Sequence, residues 1–502
     1  MTKKYILSFD QGTSSSRTIL FDKQAKIIAK EQLSFSQFYP HKNWVEQDPW
    51  EIYNTQIRAA KDLLNSSNIN IQDIASLGIT NQRETTILWD RNTGEPIYPA
   101  IVWQDKRTEK RCLHIRSKKE EFIRDKTGLV VDSYFSATKI QWILSNVEGA
   151  REKAENGEIC FGTVDTWLVW NLSGMKSHIT DFSNASRTLL FNINTLDWDD
   201  ELLEFFDIPR SILPELVQSS GQLSTVEKSI FGEELMISSI LGDQQAALFG
   251  QTCFKKGMLK STFGTGSFML MNTGKKPRFS ENGLLTTVAW SINGKVKYAL
   301  EGNIFIAGAA IKWLRDNLQI INSADESEYL AYSVPNSGGV YVIPALAGLG
   351  APYWNNDVQG AILGLTLGSK RAHIVRATLE SLAFRTYDML KLIERESGIK
   401  IKSLAVDGGA SANNFLMQFV TDIIRIEVNR PKIVETTSLG AAYMAGLAVG
   451  FWTEEEIIEI HQINKVFQSE MEEVEAMTLY DEWSRVVKHL IKGSDMHMTK
   501  QL

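Results

Sequence analysis

Apolar and polar positions alternate from the start of the chain. Tyr5–Phe9 and Thr18–Phe21 have the β-branched and aromatic content of two short strands, and the polar run between them, Asp10 to Arg17, predicts a hairpin connection. The layout recurs at Lys260–Asn272 ("KSTFGTGSFMLMN"), where Gly264-Thr265-Gly266-Ser267 forms the turn. A third element, Ser403–Ile424, reads as a strand at Leu404–Val406 and a tight turn at Asp407-Gly408-Gly409. The helix that follows has Phe415, Phe419 and Ile423 on its inward face at steps of four. Val375, Leu379, Leu382, Thr386, Met389 and Ile393 predict a core helix ending at Gly398. Two more strands, Leu77–Thr80 and Thr86–Trp89, flank a connection at Asn81–Glu84, and Gln245–Phe249 is a helical run just after Asp243. The apolar stretch Leu439–Trp452 reads as a buried helix whose small residues allow close packing.

Strand-like and helix-like patterns alternate throughout, which predicts an α/β class with mixed sheets. The chain of 502 residues exceeds one core and predicts two domains. The polar stretch Ser219–Glu234 sets their boundary near Gly250: residues 1–250 would carry the first hairpin, and 251–502 the second hairpin and the Gly408-Gly409 turn. Two hairpins of one design imply a duplicated fold that grips a nucleotide between its halves.

Charge and cysteine content narrow the function. The formal net charge of −7, with no long basic run, argues against nucleic acid or an anionic membrane as the main partner. Cys112, Cys160 and Cys253 are odd in number and widely spaced, so neither a disulfide framework nor a CxxC metal site is expected, and the chain reads as cytoplasmic. The N-terminus lacks a signal-peptide core, and Leu439–Trp452 is too short to span a bilayer.

The turns suggest phosphate chemistry. Gly12 supplies a permissive backbone, and Thr13, Ser14, Ser15 and Ser16 supply hydroxyls beside their own N–H groups, a donor set suited to phosphate oxygens, with Arg17 adding charge. An acid among phosphate donors makes sense if it holds Mg²⁺, so Asp10 is the candidate metal residue; a plain solvated serine-rich turn is the competing reading. No GxxxxGK[ST], HRD with DFG, HExxH or GxSxG motif occurs. The seven scattered histidines are read as surface or capping residues. Arg83 and Glu84 in "GITNQRETTILWD" offer donors and acceptors to vicinal hydroxyls, and Trp103, Tyr134 and Phe268 are candidate walls for a polyol or else core. Asp243 is either a helix N-cap or the general base for an attacking hydroxyl, with Gln244 beside it to orient that hydroxyl.

Together these segments resemble the sugar and polyol kinase family of the actin/hexokinase/Hsp70 fold, and within it the glycerol-phosphorylating branch. The resemblance rests on "FDQGTSSSR", "WVEQDP", "GITNQRETT", "IVWQ", "VDTWL", "NASRT", "GDQQAALFGQ", "FGTGSFMLMNTG", "GLGAPYW" and "VDGGASANNFLMQF", which occur in family order over nearly the whole chain. It implies two duplicated ribonuclease-H-like (actin-like ATPase) domains flanking a catalytic cleft, and the reaction of MgATP with glycerol to give sn-glycerol 3-phosphate. It further implies that Arg83, Glu84, Trp103, Tyr134, Asp243, Gln244 and Phe268 hold glycerol, with Asp243 as base. Thr13, Ser14, Ser15, Arg17 and Thr265 would hold ATP phosphates, Gly308, Gly409 and Asn413 would lie near adenosine, and Asp10 would serve Mg²⁺. A homodimer or homotetramer is expected by analogy.

The sequence departs from the family in places. Lys312 stands where many relatives have Gln near the adenine, and Ser14 replaces a frequent Thr. Ser224–Leu235 lacks the Arg and the His by which some members respond to fructose 1,6-bisphosphate or a phosphotransferase protein, so weak or absent control by either route is expected. A kinase for a longer polyol or a ketose remains the alternative, followed by an actin- or chaperone-like ATPase.

Overall fold

The computed structural model describes residues 3–355 and 357–498. Thirteen strands form one mixed sheet: β1 (Tyr5–Gln11), β2 (Ser15–Asp22), β3 (Ile27–Ser34), β4 (Ile74–Asn81), β5 (Ser220–Val226), β6 (Leu235–Gly242), β7 (Leu259–Phe263), β8 (Ser267–Gly274), β9 (Leu285–Ile292), β10 (Lys295–Ile304), β11 (Ser403–Asp407), β12 (Glu427–Pro431) and β13 (Ile463–Phe467). Their spatial order is β13-β12-β11-β7-β8-β10-β9-β5-β6-β4-β1-β2-β3. Each half repeats one motif. β1 pairs antiparallel with β2 and parallel with β4, and β7 likewise pairs antiparallel with β8 and parallel with β11. The duplication implied by the two hairpins is therefore present in the sheet itself.

The helices that bear on the site are α1 (Pro49–Ser67), α2 (Val164–Leu172), α3 (Asp243–Gly250), α4 (Gly308–Asp316), α5 (Arg371–Ser397), α6 (Asn414–Ile424) and α7 (Thr436–Ala448). α5 covers the predicted core helix and ends at Gly398 in the left-handed conformation, φ 64°. In α6, Phe415, Phe419 and Ile423 are buried. α7 is the buried small-residue helix expected from Leu439–Trp452, and it crosses α3 with backbones nearly touching. A Cβ on Gly440 would lie 1.8 Å from the Ala246 carbonyl oxygen, and one on Gly250 would lie 2.0 Å from that of Thr436. Only glycine allows this crossing. No helix among the described residues is long and apolar enough to cross a membrane.

Two local expectations are corrected. The first hairpin is tighter than the pattern suggested: β1 and β2 extend inward until Asp10 faces Arg17 across the ladder, leaving Gly12, Thr13 and Ser14 as the tip. Main-chain pairing is gained at each added position, and polar side chains do not prevent it. His178 is half-buried rather than a surface or capping residue. Its ring packs edge-on against Trp89 and Trp170, and its Nε2 lies 2.8 Å from the Phe161 carbonyl oxygen. His373, by contrast, does cap: its Nδ1 accepts from the Lys370 N–H at 3.1 Å, at the start of α5.

Candidate functional site

A cavity of about 710 Å³ opens between the two hairpin tips. Arg83, Glu84, Trp103, Tyr134, Asp243, Gln244 and Phe268 all line it, and so do Thr13, Ser14 and Thr265. Two elements deliver the polar end, the segment after β4 bringing Arg83 and Glu84 and the start of α3 bringing Asp243 and Gln244, while β8 brings Phe268 to the apolar side. Gly242, the last residue of β6, lets Arg83 pass, because a Cβ there would lie 2.7 Å from Arg83 Cδ.

The Arg83–Glu84 pair is not solvated, as adjacent charges in a turn usually are: the two residues are only 3% and 1% exposed. Arg83 Nη1 donates to Glu301 Oε2 at 2.6 Å and to Gln245 Oε1 at 3.1 Å, and its Nη2 donates to Glu301 Oε1 at 3.1 Å. Arg187 donates to Glu84 Oε1 at 2.5 Å and to Glu301 Oε1 at 3.1 Å. Two arginines and two glutamates thus form one buried lattice. Burial opposes ionisation of Glu301, yet Arg187 and Arg83 outweigh it and hold the carboxyl at about 2. For Glu84 burial wins and raises the carboxyl, against the pull of the same arginines. Glu84 also adopts a left-handed backbone, φ 61°, with its carbonyl oxygen accepting from Lys139 Nζ at 3.2 Å, Ser136 Oγ at 3.3 Å and Thr86 Oγ1 at 3.1 Å.

Asp243 is the first residue of α3, and Gly242 holds the cap position, so the Asp243 side chain is not the N-cap. Its Oδ1 accepts the Gln244 N–H at 2.7 Å and lies 3.2 Å from Arg83 Nε. Both contacts fall on Oδ1, which leaves Oδ2 to meet a hydroxyl. Trp103 and Tyr134 meet edge to face at 5.5 Å, and Trp103 Nε1 donates to Thr13 Oγ1 at 3.0 Å, tying the apolar wall to the first hairpin tip. The Thr13 carbonyl oxygen is further held by Gln47 Nε2 at 2.7 Å and Gln37 Nε2 at 3.1 Å.

The remaining candidates lie elsewhere. Ser15 Oγ accepts from Gln32 on β3 at 2.9 Å, away from the cavity. Arg17 pairs with Glu435 and, at 3.3 Å, with Asp10. Asp10 is nearly buried, and Oδ2 takes both its contacts, the Arg17 guanidinium and the Ser438 hydroxyl at 2.8 Å. Burial raises the Asp10 carboxyl against the pull of Arg17 and Ser438, and the nearby charges of Glu435 and Asp243 raise it further. No group of three His, Cys, Asp or Glu among the described residues is placed to hold an ion by itself. A Mg²⁺ that keeps its waters and binds phosphate oxygens needs only one or two carboxylates, and Asp10, near enough to Asp243 to feel its charge, is the candidate for one of them.

A second cavity, of about 480 Å³, is lined by Gly409 and Asn413 in the turn before α6, by residues of the helix Ala324–Tyr332 and by Ile311 of α4. The Asn413 side chain caps α6, accepting the Leu416 N–H at 2.8 Å and donating to Ser327 Oγ at 3.1 Å. Gly308 starts α4 and lines neither cavity, although a Cβ there would lie 3.8 Å from that of Ala410 in the second; its N–H donates to the Gly264 carbonyl oxygen at 2.9 Å, while Ala307 and Ala309 donate to that of Thr265. Lys312 is exposed on α4, whereas its neighbour Ile311 lines the second cavity.

Glu301, Arg187 and Lys260 escaped the sequence reading. Each had a signal. Glu301 and Lys260 are single charges inside apolar strand runs, "YALEGNI" and "GMLKSTF", and Arg187 lies in "NASRT". Lys260 is fully buried; burial pushes its ammonium down to about 8, against the carboxylates of Asp407 and Asp243.

The FGGY family of carbohydrate kinases matches this chain twice, its N-terminal domain over residues 5–250 and its C-terminal domain over residues 259–449. Glycerol kinase from Thermoanaerobacter sp. (strain X514) is 57% identical over 494 residues, 98% of this chain and 99% of that protein. Glycerol kinase 2 from Thermotoga maritima is 57% identical over 486 residues, 96% of this chain and 98% of that protein. The crystal structure of Plasmodium falciparum glycerol kinase with ADP superposes with a TM-score of 0.92 at 36% identity, covering 97% of this chain and 98% of that one. Xylulose kinase from Lactobacillus acidophilus shares the fold, with a TM-score of 0.87 at 20% identity over 98% of this chain and 100% of that one.

Proposed function

This chain belongs to the FGGY family of carbohydrate kinases, and from that membership we infer that it transfers the γ-phosphoryl group of MgATP to glycerol, giving sn-glycerol 3-phosphate. The 57% identity to glycerol kinases over nearly the full length of both chains carries this reading. The cavity supports it in chemical terms. A small polyol needs acceptors and donors close together beside an apolar wall, and Arg83, Glu84, Asp243 and Gln244 opposite Trp103 and Phe268 offer that combination.

In this reading Asp243 Oδ2 takes the proton of the attacking terminal hydroxyl, while Arg83, fixed on Glu301, holds the substrate oxygens. Bound Mg²⁺ would offset charge on the β- and γ-phosphates. Thr13, Ser14 and Thr265 at the two hairpin tips hold phosphate oxygens, and Arg17 leaves its carboxylate partners or reaches past them to do the same. Gly308, Gly409 and Asn413 receive the adenosine end, with the second cavity as its pocket. Residues 1–250 and 251–502 act as the two halves that close on the substrates and exclude water that would otherwise hydrolyse ATP. By analogy with the family, the enzyme works as a homodimer or homotetramer in the cytoplasm.

ADP release from MgATP, measured with glycerol, xylulose, gluconate and erythritol in turn, tests the reading. Strong stimulation by glycerol alone is expected. Turnover indifferent to every polyol would overturn the acceptor assignment.

A further inference from the structure

Gln244 has an amide with two ends of opposite character, and its chemistry at the cavity depends on which end faces inward. The ammonium of Lys260, on β7, donates to Gln244 Oε1 and also to Thr262 Oγ1 at 2.9 Å. An ammonium carries donors and no acceptor, so the amide end that faces Lys260 must be the oxygen. The NH₂ end is then the one left for the cavity, which Gln244 lines while Lys260 does not.

We propose that Lys260 is a positioning residue that locks the Gln244 amide with its NH₂ toward the substrate, so that residues 243 and 244 present one acceptor and one donor side by side. This rests on the reading of that end of the cavity as the polyol end. The pairing matters because a hydroxyl that gives its proton to Asp243 leaves its own oxygen, or its neighbour's, in need of a donor. An amide free to flip would present a second acceptor for part of the time and repel that oxygen. Lys260 is also a poor choice for packing alone. It is fully buried in a strand between Leu259 and Ser261, also buried, where a burial cost is met only if specific acceptors are in place, and a methionine would fill the same space without that cost.

The test uses the full-length enzyme and steady-state kinetics against both substrates, for Lys260→Met, Gln244→Ala and the double variant. Lys260→Met is expected to raise the glycerol KM about tenfold, as for one lost hydrogen bond, with the ATP KM unchanged. The double variant is expected to be no worse than Gln244→Ala alone, because residues that act through one another do not add. Gln244→Glu keeps an oxygen for Lys260 while replacing the presented donor by an acceptor, so it is expected to fold like the parent and bind glycerol as poorly as Gln244→Ala. It keeps the proposal testable if Lys260→Met does not fold. Additive losses, an unchanged glycerol KM in Lys260→Met, equal rises in both KM values, or parental glycerol binding by Gln244→Glu would each overturn the proposal. A parent enzyme without glycerol-dependent ADP release would instead overturn the polyol reading beneath it.

Discussion

The Arg83 guanidinium clasps the Glu301 carboxylate with both Nη atoms, 218 positions apart in sequence, at 2.6 and 3.1 Å. This fork fixes the direction of Arg83 Nε, which lies 3.2 Å from Asp243 Oδ1, and so links a strand of the second half of the chain to the acid at the start of α3.

Glu301→Gln is therefore expected to act on both stability and binding. Removing one partner of a buried ion pair leaves uncompensated charge and costs about 3 kcal/mol or more, here with two arginines affected. Urea denaturation is expected to register that loss, and the glycerol KM to rise as Arg83 loosens. A variant with parental glycerol KM would mean that Glu301 supports the fold without aligning Arg83.

Asp243→Asn preserves shape and the Oδ1 contacts but removes the proton acceptor. Turnover is expected to fall by about 10² to 10⁴, the range for a positioned base, with glycerol binding mostly intact. Arg83→Ala is expected to do the reverse, raising the glycerol KM more than it lowers kcat. Near-parental kcat in Asp243→Asn would remove Asp243 from the base role.

The contrast between these residues explains what could be read in the sequence. The placement of Asp243, Thr13 and Thr265 beside the cavity was legible because Asp243 opens a helix after a strand and the two threonines lie at turns, where local pattern and side-chain chemistry coincide. The sheet halves were legible for the same reason: each opens with a hairpin whose alternation and glycine turn lie within one short window. Glu301 showed only as a lone charge in an apolar strand and Arg187 only within a short motif; their pairing was not legible, because it depends on partners more than 100 positions away that no local period marks. His178 was misread on similar grounds: a lone histidine gives no hint that Trp89 and Trp170 will enclose it.

The α3–α7 crossing predicts a mutation that acts on catalysis from a distance. In Gly440→Ala the new methyl would meet the Ala246 carbonyl oxygen at 1.8 Å, so the helices must separate. Overpacking of this kind costs about 1–3 kcal/mol, and the shift would be carried along α3 to Asp243 and Gln244. Both the melting temperature and kcat are expected to drop. Gly450→Ala, at a position with open space around it but φ 68°, is expected to leave kcat at the parental value.

Asp10→Asn tests the metal role. The amide can keep the Ser438 contact but loses the charge that a divalent cation seeks. The Mg²⁺ concentration giving half-maximal turnover is expected to rise, while the glycerol KM stays near the parental value. An unchanged Mg²⁺ requirement would return Asp10 to a purely structural pairing with Arg17.

His178 predicts a loss of stability on acidification. Burial pushes its imidazole down to about 4 from the usual 6.5, although the Phe161 carbonyl oxygen pulls the other way. Below pH 6.5 the unfolded chain takes up a proton at this position that the folded chain refuses, so stability is lost as pH falls from 6.5 towards 4, by about 2 kcal/mol between pH 7 and 5. Asp165 runs the other way: burial raises its carboxyl to about 7, so the folded chain keeps a proton that the unfolded chain gives up, and stability falls as pH rises through that window. The pH profile of the parent protein mixes the two effects, and the informative quantity is the difference from His178→Gln, which cannot titrate but can still donate to Phe161. Denaturation midpoints at pH 7 and 5 are expected to show the variant losing about 2 kcal/mol less than the parent on acidification. Equal losses would mean that the enclosed imidazole accepts its proton as readily in the folded chain as in water.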